Sequence, residues 1–494
     1  MSGYTEAGGS ILTQAMAGFF AKSRDVYQDN ISRPLLVSRA RFLNITSCIS
    51  RSIHDCMTRG VIGSGVRYEP SDTSDFFDDL EYSNITKNIK RAFARTGHTH
   101  AFDAGGELTF DQIEQMVFYT MIVSGEAWLI RTPDDAWIIK EPDYIKTPYN
   151  IVGTDYLNSA VGEYSGRLVV DGIELNRHGK PIAAWYCDNP YGSSGNDIHF
   201  ERIPFFDRYG NRNIIHVYIK ERPDQLRGLP LTSPVIQQIW STLAYADSEL
   251  QMAILQCNQS AIITTNTNPT TNPFHGMTLK DLDAPLVTGS KPQNKSEDFS
   301  VFPPLGNQYF DGLINKLNFM SPGQTRHLAE GEDIKFLTPT APSTGLTNFI
   351  DLQLRMIGAS LGIPEQVLSG KFDSNFSAVK GATSAFNHTV KRYRKILIES
   401  FLKPFFEVFC TKYLMQNRYS KDEAQEIASM LAIESQWIPN DSPLTLDPSK
   451  EMDYMIKAIE AGLITADEAA LQLFGHPAVL QKQENIQHED VSNV

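Results

Sequence analysis

Ser377-Ala-Val-Lys380 sets a serine hydroxyl and a lysine amine one helical turn apart. In one class of acyl-transfer enzymes that spacing lets the amine help activate the hydroxyl for attack on a carbonyl. Such enzymes also carry a Lys-Thr-Gly element downstream, and none occurs in this chain. The same two residues can serve as a cap or a loop wall, and that reading outweighs the nucleophile. His98, His100 and Asp103, in GHTHAFD, offer a second chemistry, because imidazole and carboxylate suit zinc or manganese. His-x-His directs both rings to one face only in an extended segment. With Gly97 beside it and no obvious fourth ligand, a surface loop outweighs a metal site. Gly63-Ser-Gly65 precedes the strand-like VRYEP instead of opening a helix, so it reads as a turn and not as a phosphate loop. There is no Walker P-loop and no HExxH. Lys391, Arg392, Arg394 and Lys395 form a basic run that fits either a phosphate contact without base readout or the solvated side of an amphipathic helix.

The elements that must position these residues are of mixed type. Residues 35–62 read as a helix, with Leu36, Ala40, Leu43 and Ser47 near a 3.6-residue period, ending at Gly60. Residues 110–130 read as a buried helix that breaks near Gly125 and continues as a strand. From 135 to 220, short β-rich segments such as AWIIKEPDYI, PIAAWYC and IIHVYIK alternate with turn chemistry such as ELNRHGKP and DRYGNRN. Ser233 and Pro234 make an N-cap and first-turn pair for a helix over 233–262, about 45 Å long at 1.5 Å per residue. A polar, Pro-punctuated insert follows to about 345. A second helix spans 346–361, stopped by Gly362 and Pro364, and a third carries Phe386, Val390, Tyr393, Leu397 and Phe401 until Pro404 kinks it. Near the C-terminus, two short helices meet at Gly462. The fold class is α+β.

At 494 residues the chain exceeds the size at which one core keeps growing, so two or more units are expected. Hydrophobic content of 41% and charged content of 21% are those of a globular protein, not a disordered or fibrous one. Five cysteines without a CxxC pair argue against a disulfide framework or zinc ribbon and for folding in a reducing, intracellular setting. Neither a signal peptide nor a membrane span of roughly 20 apolar residues is expected. The net charge is −14, and residues 421–494 hold 14 Asp or Glu against 4 Lys, which leaves only −4 for the rest. A surface of that sign does not grip duplex DNA tightly.

A long helix, an irregular insert, a second helix and a short polar loop, flanked by α+β material, suit a ring subunit better than a monomeric enzyme. The residues here resemble the phage portal proteins of the lambda type. ERPDQLRGLP, with Arg222, Pro223, Gln225, Arg227, Gly228 and Pro230, is similar to that family's Arg-Pro-x-Gln-x-Arg-Gly-x-Pro signature ahead of the long helix. YADSEL at 245–250 resembles its continuation. LGIPEQVLSGKFDSNFSAVKGA resembles its Leu-Ser loop, with Phe376 in place of the usual Tyr, Ala378 of the second Ser and Lys380 of the Arg. ARFLNITSCISRSIHDCMTRGVIGSGVR, SGEAW, GIELNRHGKPIAAWY, IPFF ahead of IIHVY, and PSKEMDYMIKAIEAGLITADEA add to it, in order over about 33–485. The insert from 264 to 320 has little to match.

The resemblance implies a portal fold assembled as a dodecameric ring at one capsid vertex, through which a terminase pumps double-stranded DNA. It implies a wing over 1–230 and 381–440, stem helices over 231–263 and 346–361, a clip over 264–345, a tunnel loop over 362–380 and a crown over 441–494. Lys371, Asn375, Ser377 and Lys380 become candidates facing DNA, and Lys391, Arg394 and Lys395 candidate DNA or interface bases. Further implied partners are the major capsid or scaffolding protein and head-completion or adaptor proteins, with no cofactor and no membrane. The protein would sit in the virion after assembly in the host cytoplasm. The alternatives are a serine acyl-transfer enzyme using Ser377 and Lys380, or a metal-dependent nuclease around His98, His100 and Asp103.

Overall fold

The computed structural model describes residues 26–70, 79–148, 168–191, 199–208, 210–258, 262–265, 332–335, 345–371, 376–417, 419–439, 448–466 and 469–470. The chain divides into two compact units, 1–241 with 351–494, and 242–350.

In the first unit, the helix expected over 35–62 is two helices, α1 (Val26–Thr46) and α2 (Cys48–Val61). Ser47 divides them: its backbone turns extended (φ −111°, ψ 120°) and its hydroxyl accepts the Ser50 N–H, so it caps α2 instead of continuing α1. The GSG segment is a turn, as expected, leading into strand β1 (Val66–Glu69). Helix α3 (Asp79–Gly97) follows. Helix α4 (Phe110–Ser124) opens on a Thr109/Gln112 capping box and closes on Gly125, whose φ of 91° only glycine adopts easily. The chain passes directly into strand β2 (Glu126–Arg131), as the sequence predicts.

β2 is the centre of an antiparallel sheet between β3 (Trp137–Lys140) and β8 (Ile214–Tyr218), with Trp128 opposite His216. Strands β4 (Leu168–Val170), β5 (Ile173–Leu175), β6 (Pro181–Cys187) and β7 (Phe200–Pro204) form a second antiparallel sheet in sequence order. Asp171 and Gly172, both at positive φ (46° and 81°), make the two-residue β4–β5 turn. Trp128, Ile145, Ile173, Leu175, Ala184, Phe205 and Ile214 form one buried cluster shared by the two sheets.

Past residue 350, after helix α6 (Gly345–Leu361), which Gly362 ends at φ 71°, come α7 (Glu365–Ser369), α8 (Phe376–Leu397), a π-helical turn (Ile398–Leu402) and α9 (Lys403–Gln416). The irregularity expected at Pro404 is this π turn, because proline at the start of α9 has no N–H to continue the ladder. Helix α10 (Lys421–Glu434) leads to strand β11 (Gln436–Pro439), which pairs with β1. Phe93, Phe102, Phe110, Phe401, Phe405, Phe406, Phe409 and Trp437 interlock with ring centroids 5.0–6.4 Å apart and tie α3, α4, α9 and β11 into a second core. Helix α11 (Pro448–Glu460) stops at Gly462 (φ 67°); most of the second short helix expected after it lies outside the described residues.

The helix expected over 233–262 begins with a 3-10 turn, Ser233–Val235, and becomes α5 at Ile236, ending at Asn258. At 1.5 Å per residue it is about 35 Å long, not 45. Ser233 does not cap it; its hydroxyl oxygen is buried without a hydrogen-bond partner. In the second unit Tyr245 of α5 meets Phe349 of α6 edge to face at 4.7 Å. The described part of the insert also contains an antiparallel pair, β9 (Ile262–Thr265) with β10 (Glu332–Lys335). Among the described residues no helix is long and apolar enough to cross a membrane.

Candidate functional site

The ERPDQLRGLP loop is held by its own Gln225. The side-chain oxygen accepts the Glu221 and Arg222 N–H groups at 2.8 and 3.2 Å, and the amide nitrogen donates to the Arg227 carbonyl at 2.9 Å. Arg222 and Pro223 stay at the surface, while Gln225, Arg227, Gly228 and Pro230 are buried. Pro230 accepts the Ser233 N–H, and the Leu231 N–H reaches back to Ile122 of α4. The loop thereby delivers Arg227 into the interior between the sheets.

There Arg227, fully buried, meets the equally buried Glu126 of β2. Its Nε and Nη2 lie 2.7 and 2.6 Å from Glu126 Oε1, and its other N–H groups donate to the carbonyls of Pro142, Ile145 and Asp171. Glu126 Oε2 accepts from the Gly228 N–H at 3.0 Å and from His216 Nε2 at 2.8 Å. Arg33 of α1 completes the group, 3.6 Å from Glu126 and bound through Nε and Nη2 to Asp171 at 3.0 and 2.8 Å. Burial alone would raise the Glu126 pKa; Arg227, the His216 hydrogen bond and Arg33 together hold it well below the usual carboxylate range. Burial, against the pull of Glu126, lowers the His216 pKa, so its imidazole is neutral at pH 7. Two guanidiniums thus balance two carboxylates, with every donor of Arg227 directed at an acceptor. That is a charge lock between α1, the sheet and the signature loop.

The other expected site residues are distributed elsewhere. Lys371 is exposed, 3.4 Å from Asp351. Asn375 lies outside the described residues. Ser377 and Lys380 are exposed in the first turn of α8, where the chain is already helical instead of a loop, and among the described residues no hydrogen bond joins them. An amine in open solvent is a poor activating base, because activation needs a desolvated lysine. On α8, Lys391 and Lys395 are exposed, but Arg394 is half-buried and donates to the carbonyls of Gly60 and Val61, both at 2.8 Å, capping the C-terminus of α2. His98 and His100 are exposed. Asp103 accepts the N–H groups of Gly105, Glu107 and Leu108, which makes it the organiser of a turn. Among the described residues no three potential metal ligands gather.

One buried acid stands apart from the lock. Glu114 of α4 is fully enclosed, accepts the Val66 N–H at 3.1 Å, and burial pushes its pKa up to about 8. The folded chain therefore keeps a proton here that the unfolded chain loses above an ordinary carboxylate pKa near 4.5. This contribution to stability is complete below that value and is lost as pH rises through about 8. Urea midpoints at pH 5 and pH 8.5 should fall for the native protein, and Glu114→Gln should remove most of that fall. An unchanged slope in the variant would count against this assignment.

Taken together, these features define a two-unit helix-and-strand protein whose signature loop is tied to the sheet through Arg227 and Glu126. The family model for the phage portal protein, lambda family, matches residues 13–394, and the chain belongs to that family. Among solved structures, the chain is similar at 13% identity and a TM-score of 0.44 to one in the virion of a native gene transfer agent particle, covering 95% of this chain and 100% of that one. A chain from the neck of an empty gene transfer agent particle, computed with C6 symmetry, has the same identity and score, with 95% and 99% covered. One from the neck of the native particle, computed with C12 symmetry, has 12% identity and a TM-score of 0.38, with 84% and 97% covered.

Proposed function

We propose that this protein forms a dodecameric ring at one capsid vertex, the channel for double-stranded DNA during packaging and ejection and the platform for terminase, capsid or scaffolding protein, and head-completion proteins. The observation that carries this reading is family membership over 13–394. Exposed apolar side chains support the ring: Leu250, Met252 and Ile254 on α5, and Leu352 and Met356 on α6, are about half accessible in the single chain and call for cover by neighbouring copies. Wing, stem, clip and crown follow the boundaries given above, and the tunnel segment over 362–380 includes helix α7 and the first residues of α8. ATP chemistry belongs to the motor.

Charge supports a conduit. A duplex carries one charge per ~1.7 Å of axis, so a strongly basic bore would act as a brake. An acidic C-terminal region with a few lysines such as Lys371 and Lys380 in the tunnel segment centres DNA without holding it. Electron microscopy of the purified protein tests the reading: end-on rings with a duplex-sized hole support it, and a compact monomer at every concentration overturns it. Within it, Ser377→Ala is expected to leave packaging intact, while deleting residues 372–375 impairs packaging without preventing assembly. A Ser377→Ala ring that assembles but packages nothing would return the residue to chemistry.

A further inference from the structure

A cavity of about 420 Å³ opens in the first unit between the β2–β3 turn, the loop after β7 and helix α9. Three cations line it, and their needs differ. Arg131 is well supplied, with Asp135 at 3.3 Å, Asn213 at 2.9 Å and Asp207 at 3.7 Å. Lys412 has Asp135 at 3.3 Å and the Asp134 carbonyl at 3.4 Å. Arg212 has one distant carboxylate, Glu407 at 3.9 Å, and the face of Phe206 at 4.8 Å. Its Nε is buried without a hydrogen-bond partner, although the side chain as a whole keeps 27% exposure. Burial lowers its pKa in spite of Glu407, the response of a guanidinium short of counter-charge.

We propose that this cavity binds a carboxylate side chain from an acidic peptide segment of a partner protein, with Arg212 as its main donor. A planar guanidinium fork matches a carboxylate, and a charge-assisted pair is the strongest hydrogen bond the site can add. Asp135 and Glu407 in the same wall disfavour a polyanion, so nucleic acid and free phosphate fit poorly. Val408 and Met415 give the wall an apolar part that takes a neighbouring aliphatic side chain. The volume suits one or two residues of a peptide.

Calorimetric titration of the full-length protein with N-acetyl-Leu-Glu-Leu-amide and with its Leu-Gln-Leu counterpart tests this. The Glu peptide should bind, the Gln peptide at least tenfold more weakly, and Arg212→Met should weaken the Glu peptide about tenfold or more while Lys180→Met, at an exposed position away from the cavity, leaves it unchanged. Should Arg212→Met fail to fold, the Glu and Gln peptides on the native protein still decide. Equal affinity for both peptides, no binding of either, undiminished binding to folded Arg212→Met, or tighter binding of inorganic phosphate would each overturn the proposal.

Discussion

Replacing Glu126 with Gln is expected to destabilise the first unit by about 3–5 kcal/mol, the range for breaking a buried ion pair by removing one partner. Arg227 and Arg33 would remain, both buried, with Asp171 alone to balance them. A neutral amide also presents an N–H₂ where both oxygens now only accept, so one of the Arg227, Gly228 and His216 donors loses its acceptor. Urea unfolding followed through Trp128, which stacks on His216 at 3.7 Å, measures the loss. The pH dependence provides a second readout. A carboxylate held well below its ordinary pKa stabilises the folded state at neutral pH, and that contribution is lost as pH falls below about 4.5 toward the folded value. Glu126→Gln should therefore flatten the acid limb of the stability curve as well as lower its plateau. A variant within about 1 kcal/mol of the native protein, with the acid limb intact, would show that Glu126 and Arg227 are bystanders.

That Glu126 matters was only half legible in the sequence. SGEAW is visible as a motif, and a glutamate followed by four residues fit for a buried strand signals a charge that must find a partner. Nothing local names that partner, because Arg227 lies 101 residues away and Arg33 is on the other side in sequence. The signature loop is legible as a family mark, yet its purpose, Gln225 folding the loop so that Arg227 enters the interior, depends on the sheet it enters. Asp171-Gly172 was the missed signal. Asp-Gly between Leu-Val-Val and Ile-Glu-Leu is a strong hairpin pattern, and the turn it makes supplies both a carboxylate and a carbonyl to the lock.

The basic run on α8 teaches a related lesson. Phe386, Val390 and Leu397 lie at helical spacing and are buried, and Arg394 falls four residues after Val390 on the same stripe. Periodicity therefore separates it from Lys391 and Lys395, which fall on the open side. Charge alone groups the three together. The break at Ser47 was less accessible, since Ala40, Leu43 and Ser47 keep the helical spacing right up to the residue that turns away. A serine caps or continues a helix according to what its hydroxyl can reach, and only the Ser50 N–H decides it.

Gly228→Ala is expected to produce the second large loss, through sterics and not charge. A Cβ at Gly228 would run into the carbonyl group of Gly125 well inside van der Waals contact, and would stand 2.9 Å from the Tyr218 side chain. A Cβ at Gly125 would in turn meet the Leu229 and Gly228 backbone at 2.7 and 2.8 Å, on a residue already at φ 91°. The two backbones touch because α4 must end and β2 begin directly under the signature loop, so neither side can retreat without moving Glu126 or Arg227. Overpacking costs about 1–3 kcal/mol where the surroundings give way, and here they are backbone. Left-handed strain adds about 1–2 kcal/mol for Gly125→Ala. Gly106→Ala separates the two contributions, since Gly106 also has a positive φ (68°) but nothing within 4 Å of the added Cβ. Thermal unfolding of the three variants should place Gly106→Ala a few degrees below the native protein and both others far lower. If Gly228→Ala melts beside Gly106→Ala, the helix end and the signature loop have room to part, and the lock is looser than its hydrogen bonds imply.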